Sequence, residues 1–508
     1  MKKIVFVVLL AISILLIGCE RRRADPDPRP EISVLILDRG RVRASEGSII
    51  DNRWTRWINE NAPVRVRWVS VPRTESVVRL NALFAAGAAP DLVWEGGKRF
   101  WENLLRQGVI QPVDEHIRNY STVYREFLER HPELMPFLVA EDGRQYGMTV
   151  AGNILTIPNH AMWIRQDWLD KFGMDTPRTT AEVVEFMRRV RDEDPDNTGL
   201  RNFGMTFNFN KPGILRALFG EPFGSFMVVD GHFVDWTSTQ GYRDYLEFRA
   251  MLFREGFIDP EFITDPNFTR QRQLLVTGRS GIHLGMWDMP LEWRELRTNV
   301  PHANWQPLEP WETTQGRNGL HQEPPVFWMA ALNTASTNAE HVMAFIDWMM
   351  DEGWFTIYYG FEGVHHRLVD GIPQAIDPDR NAIELDYARE FAIFNQDQPQ
   401  LYWFPIMAAE DPLSQEYAIV RKLANETQLR NRFRRYVPFL PSDELILNFY
   451  TETLSQIQAL ETNIVMGRLT VDEGIRRIHE YKRSMGWDAV KAANEAWLQR
   501  NKHLVTLP

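Results

Sequence analysis

The sequence predicts an α/β protein divided into two or three large lobes, with a helical C-terminal part. Three observations carry this. The chain has 508 residues, more than one hydrophobic core ordinarily organises. Hydrophobic residues make up 44% and charged residues 25%, which permits packed cores. Beyond the N-terminal segment, strand-like and helix-like patterns alternate, the order that yields a parallel sheet covered by helices.

The N-terminus is read first as a targeting segment. Met1-Lys2-Lys3 is positive, and Ile4 to Ile17 is an uncharged apolar run of fourteen residues. That is too short for a comfortable membrane span and suits a signal peptide core. The run closes on Leu16-Ile17-Gly18-Cys19, and Cys19 is the single cysteine, so no intrachain disulfide can form. This stretch resembles the lipobox of bacterial lipoproteins. The resemblance implies cleavage before Cys19, acylation (palmitate) of that cysteine and an extracytoplasmic, membrane-anchored protein. An ordinary signal peptide with an accidental cysteine is the competing reading. Residues 19–30 are charged and proline-rich, and read as a tether. The net charge of -11 argues against nucleic acid as a partner. The basic runs Arg21 to Arg23 and Arg430 to Arg435 read as solvated faces.

Structure is expected from Ile32. Ser33 to Leu37 is a mostly apolar strand, and Val64, Val66 and Trp68 alternate with Arg65 and Arg67 as in a half-buried one. Arg53 to Asn59 and Ser76 to Ala86 fit helices, and Asp91 to Trp94 a third strand. Thr179-Thr180-Ala181-Glu182 reads as a capping box, followed by Val183, Phe186, Met187 and Val190 on one helix face. Thr337 to Glu340 repeats the pattern ahead of Val342, Phe345, Ile346 and Met349, with Gly353 as its stop. Thr470 to Glu473 opens a third such helix before Gly486.

Four segments together resemble family 1 extracellular solute-binding proteins. They are Asn81 to Gly87 with Ala89-Pro90-Asp91-Leu92-Val93; Met162 to Gly173 with Pro177 to Glu182; Glu255 to Phe262; and Met485-Gly486-Trp487 to Asn494-Glu495-Ala496-Trp497. The resemblance implies a two-lobe Venus-flytrap (periplasmic-binding-protein-like) fold and a monomer that delivers a carbohydrate, in particular an oligosaccharide, to the permease subunits of an ABC importer. By analogy, residues 31–157 and 306–355 form lobe I, and residues 158–305 and 356–508 lobe II. The crossings near residues 157, 305 and 355 would act as the hinge.

A sugar site needs flat apolar faces for C–H surfaces, and charged or amide groups for hydroxyls. The chain has eighteen Trp. Trp94 and Glu95 follow the third strand, Asp38 and Arg39 the first, and Trp287 and Asp288 a later apolar stretch. Trp328 and Trp403 lie in aromatic clusters. These eight are the candidate ligand-binding residues, with Trp287 favoured, Trp328 a weaker candidate along with Trp163 and Trp236 outside the eight, and core packing as the alternative for each Trp. Trp54, Trp57, Trp168, Trp348 and Trp497 read as core.

Asp194 to Gly199 partly fits the start of a calcium loop, but position twelve is Met205, without a bidentate carboxylate. A helix-ending turn is the stronger reading, and no metal or cofactor is expected. No metalloprotease, nucleotide-binding or serine-hydrolase motif occurs, and His365-His366 reads as a surface or lobe-interface pair. A lipid-anchored glycoside hydrolase, which needs only two suitably spaced carboxylates, is the alternative.

Overall fold

Six consecutive residues, Ile32 to Leu37, are buried in β1 (Glu31–Asp38), as a strand with neighbours on both edges requires. β2 (Arg65–Pro72) alternates buried Val66 and Trp68 with exposed or half-buried arginines, as an edge strand does. The computed structural model describes residues 27–96, 98–140, 142–149, 160–208, 212–265, 268–286, 288–319, 326, 328–395, 403–431, 441 and 443–505. The expected signal segment, Cys19, most of the expected tether and the basic residues beyond Asn431 lie outside them.

β1 pairs in parallel with β2 throughout its length and with β3 (Leu92–Gly96) on its other side. The helices Arg53–Asn61 and Ser76–Ala85 lie between these strands in sequence, so the expected parallel alternation is present. β4 (Ile110–Gln111) and β5 (Met148–Thr149) join later. The Pro-Asp motif has a physical role here. Asp91 accepts from Ser33 N (2.7 Å), Ser33 Oγ (2.6 Å), Ser336 Oγ (2.6 Å) and Asn338 Nδ2 (3.2 Å), tying β1 to the segment after a distant strand. Burial alone would raise its pKa, but these hydrogen bonds outweigh burial and hold it below the ordinary value.

The second sheet begins with β6 (His160–Arg165) and β7 (Phe203–Phe207). A hairpin, β8 (Phe226–Val229) and β9 (His232–Asp235), precedes β10 (Ser280–Met286) and β11 (Trp305–Pro307). The ribbon β12 (Glu312–Thr313) and β13 (Gly316–Arg317) precedes β14 (Trp328–Asn333), and β15 (His366–Val369) pairs with β16 (Ile372–Ala375). The first sheet has the order β2-β1-β3-β14-β4, with β5 also on β14; the second has the order β11-β6-β10-β7. Along β6, Met162 and Ile164 enter one core while Ala161 and Trp163 enter another, so the period of two covers both faces of this sheet. The helix Thr180–Glu193 carries the expected capping box and buries Val183, Phe186, Met187 and Val190.

Two expectations about helix ends differ from the structure. Thr337 does not cap the next helix, Ala339–Trp348; Asn338 occupies the cap position without a side-chain cap bond, its amide being drawn to Asp91. Gly353 does not stop that helix. A π turn, Met349–Gly353, carries it into Trp354–Tyr359, because Met349 and Met350 continue the buried face. The C-terminal helices Val471–Ser484, capped by Thr470, and Trp487–Arg500 form the expected helical tail.

The cores divide the chain differently from the expected segments at two places. β11 pairs with β6, and Leu308 and Trp311 bury in the second body, so residues 306–311 are not part of the first. Leu385, Tyr387, Phe391 and Phe394 bury in the first body, where Phe391 meets Trp68 with ring centroids 5.0 Å apart. Each segment follows its apolar surface. The chain passes between the two bodies after Thr149, before Trp328 and after Phe394, rather than at residues 305 and 355. Trp54, Trp168 and Trp348 are buried as expected, whereas Trp57 and Trp497 are half-buried.

Candidate functional site

A cleft of about 2130 Å³ opens between the bodies. Its first-body wall is the segment after β1, Gly40 to Ala44, with Tyr358, Tyr359, Asp386 and Arg389. Its second-body wall includes Phe207 and Asn208 after β7, Met286 and Asp288 after β10, and Tyr417 and Arg421 from the helix Pro412–Arg430. The walls thus rise from the carboxyl ends of β1, β7 and β10, where open α/β sheets present ligand sites.

Asp288 is fixed on the second wall. Its Oδ1 accepts from the Tyr417 hydroxyl at 2.8 Å and its Oδ2 from Arg421 at 2.9 Å. Tyr417 and Arg421 are four residues apart, hence on one helix face. Burial, and then the Asp288 carboxylate, push the Tyr417 phenol well above its ordinary pKa, so it stays a donor. The Arg421 guanidinium lies 4.1 Å over the Phe404 ring.

On the facing wall, Arg389 lies 4.7 Å over the Tyr358 ring, and Tyr358 and Tyr359 meet with centroids 5.1 Å apart. Burial, then Tyr358, raises the Tyr359 pKa. The Tyr358 phenol, and more weakly Asp288 across the cleft, raise that of Arg389. Arg39 pairs with Glu390, and Arg41 with Asp386 at 3.4 Å, so the segments 39–43 and 386–390 run side by side. Together these groups offer aromatic faces, guanidinium donors and carboxylates to a ligand held between the walls.

Of the eight expected residues, Asp288 lines this cleft. Trp287 lies outside the described residues. Trp94 and Glu95 are 5% and 4% exposed and belong to the first body's interior. The Trp94 indole donates to Leu35 O at 2.8 Å and meets Trp328 edge-on at 5.4 Å; Glu95 pairs with Arg73 at 3.2 Å. The strand end that was to expose them is covered by Trp328, itself beneath Arg73 (4.9 Å) and Arg39 (5.9 Å). The Asp38 carboxylate accepts from Gly40 N at 2.8 Å, shaping the turn that leads into the wall. Trp403 is half-buried at the start of the helix Phe404–Met407, next to Phe404 of the wall. Trp163 and Trp236 are core residues. Tyr358, Tyr359, Arg389, Tyr417 and Arg421 were missed: the arginines occur in helical stretches that resemble solvated faces, and only the four-residue spacing of Tyr417 and Arg421 hints at a shared face.

The buried His365 imidazole reaches Glu384 at 2.8 Å, His366 Nδ1 lies 2.9 Å from Tyr359 O, and both histidines line the cleft, so of the two expected places the pair takes the lobe interface rather than the outer surface. Asp194 ends its helix with a left-handed conformation (φ 41°) and accepts from Gly199 N, Thr198 Oγ1 and Asn202 Nδ2, the turn expected of Asp and Asn. Asp167, Asp196 and His302 bring ligand-type atoms within 4.8 Å of one another, but Arg165 bridges both carboxylates, to Asp167 at 2.6 Å and Asp196 at 3.1 Å. A guanidinium therefore supplies the positive charge at this corner.

No family model matches the chain. It is 25% identical over 328 residues to the polygalacturonan/rhamnogalacturonan-binding protein YtcQ of Bacillus subtilis, covering 60% of this chain and 61% of that protein. It is 21% identical over 455 residues to lipoprotein LipO of the same organism, covering 85% and 86%. Among solved structures, the Streptococcus pneumoniae ABC-transporter substrate-binding protein FusA in complex with kestose superposes with a TM-score of 0.69 at 15% identity, over 93% of this chain and 99% of that one. The fold is that of the two-domain, periplasmic-binding-protein-like solute-binding proteins, and these relatives agree with the resemblance to family 1.

Proposed function

We propose that the chain is an extracytoplasmic solute-binding lipoprotein that captures an oligosaccharide between its two lobes and delivers it, unchanged, to an ABC importer. The observation that carries this is the cleft of about 2130 Å³, walled from both bodies by tyrosines, arginines and Asp288. Its volume exceeds the few hundred to about 1,000 Å³ of an ordinary small-molecule site, which suits several sugar units. Tyr358 and Tyr359 supply ring faces, and Asp288 with Arg421 supplies paired hydroxyl partners. A ligand that touches both walls favours the closed form by its extra contacts there, and closure is how such a protein presents its cargo.

The N-terminal reading completes the proposal: Cys19 is acylated and holds a monomeric protein at the membrane, with the permease subunits as partners. Among the described residues no helix is long and apolar enough to cross a membrane. YtcQ and FusA, named for polysaccharide binding and substrate binding, support a binding role over an enzymatic one.

Calorimetry and thermal shift with a panel of plant, bacterial and fructan oligosaccharides test this. One of them should raise the melting temperature and bind with one-to-one stoichiometry, and the ligand recovered afterwards should be intact. New reducing ends, abolished by Asp288→Asn, would replace the binding reading with a glycoside hydrolase.

A further inference from the structure

The first-body wall carries more positive charge than its own acids neutralise. Residues 39–43 and 386–390 lie together and hold four arginines against two acids, Asp386 and Glu390. Those acids are committed, Glu390 to Arg39 and Asp386 to Arg41. Arg43 and Arg389 both line the cleft, and neither forms an ion pair with a described carboxylate. Arg389 is exposed and lies over the face of Tyr358, a placement that uses the face of a guanidinium and not its hydrogen-bonding edge. Across the cleft, Asp288 is already shared between Tyr417 and Arg421. Asp379 also lines the cleft without an ion pair among the described residues, so the unpaired charge there is two arginines against one carboxylate, a net positive balance in a chain whose net charge is -11. A guanidinium edge presents parallel donors matched to the two oxygens of a carboxylate, while the adjacent tyrosines present ring faces to a pyranose.

Resting on the oligosaccharide reading, we infer that the cargo is acidic: an oligosaccharide of uronic acid units, with one ring against Tyr358 and its carboxylate seated on Arg389, and a further carboxylate within reach of Arg43. The ligand charge does what a first-body carboxylate would otherwise do. The side chains that select it come from two segments about 350 residues apart in sequence, brought together by the Arg39–Glu390 and Arg41–Asp386 pairs.

The test is calorimetry with the full soluble chain against trigalacturonate, trimannuronate, methyl-esterified trigalacturonate, galactotriose and a fructotriose. The methyl ester keeps shape and removes charge. At least one uronate trimer should bind ten- to a hundredfold more tightly than its uncharged counterpart, the range expected of one or two charge-assisted hydrogen bonds, and should weaken with added salt. Arg389→Gln should erase that preference while the melting temperature of the free protein stays unchanged, and Arg43→Gln, at an exposed position, should reduce it. Equal or tighter binding of the ester or of a neutral trimer overturns the acidic cargo and leaves the oligosaccharide reading standing. A uronate preference that survives both substitutions overturns the assignment to these arginines. Failure of every saccharide to bind, with the protein folded, overturns the oligosaccharide reading itself.

Discussion

Replacing Arg165 with Met should destabilise the second body by about 3–5 kcal/mol, the cost of breaking a buried ion pair and stranding its partner. Arg165 is fully buried. It donates to Asp167 at 2.8 and 2.6 Å, to Asp196 at 3.1 Å and to Gly278 O at 2.9 Å, and its guanidinium lies 4.1 Å over Trp168. Methionine fills the space of the stem but leaves Asp196, 8% exposed, with only Trp168 and His302 as donors. At about 2–4 °C per kcal/mol for a body of this size, the transition of the second body should fall by roughly 6–20 °C. Thermal melts followed by circular dichroism and calorimetry read this directly. Most of the loss belongs to the stranded carboxylate, so Arg165→Met with Asp196→Asn should recover a large part of it, a coupling that a double-mutant cycle measures. The same network predicts that millimolar calcium leaves the melting temperature of the wild type unchanged, since the guanidinium already occupies the position between both acids. A calcium-dependent rise in the wild type, or a loss below about 1 kcal/mol for Arg165→Met, would refute the reasoning.

Three further outcomes are expected. The buried His283 imidazole is held down at about 4 by burial, a hydrogen bond that it donates to the Thr206 backbone only partly offsetting it, so the fold favours the neutral ring. Its contribution is whole above the ordinary value of 6.5 and lost as pH falls toward 4; across that window the wild type should lose roughly 3 kcal/mol relative to His283→Gln in urea titrations, and parallel curves would contradict this. A Cβ on Gly204 of β7 would lie 2.5 Å from Met187 Cβ and 3.1 Å from Met187 Cα, so Gly204→Ala must push the helix Thr180–Glu193 off the sheet, costing about 1–3 kcal/mol in denaturant unfolding. Cys19→Ser should move the protein from the membrane to the soluble fraction, and a wild type that is itself soluble with an N-terminus other than Cys19 would overturn the anchor.

The local elements were legible because their causes are local. The burial run of β1, the alternation of β2, the Thr179–Glu182 capping box and the Asp194 turn are each set within a few residues, by side-chain period and by hydrogen bonds to neighbouring backbone. The order of motifs is likewise a property of the chain as a string. Where a distant partner competed, local reading failed. Asn338 gave its amide to Asp91, 247 residues away, and the methionines at 349 and 350 had a core to enter, so neither the cap nor the stop formed as expected. The site failed for the same reason. Trp94 reads as a strand end, yet β3 runs on to Gly96 and Trp328 from β14 covers the indole. The cleft walls are instead made by Tyr358, Arg389, Tyr417 and Arg421, residues whose sequence surroundings are those of ordinary helices. The sequence determined most of the elements, the class of fold and the placement of Asp288 after an apolar stretch. Only tertiary structure decided which faces of those elements look into the cleft, because that depends on pairings such as Arg39 with Glu390, made across 351 residues.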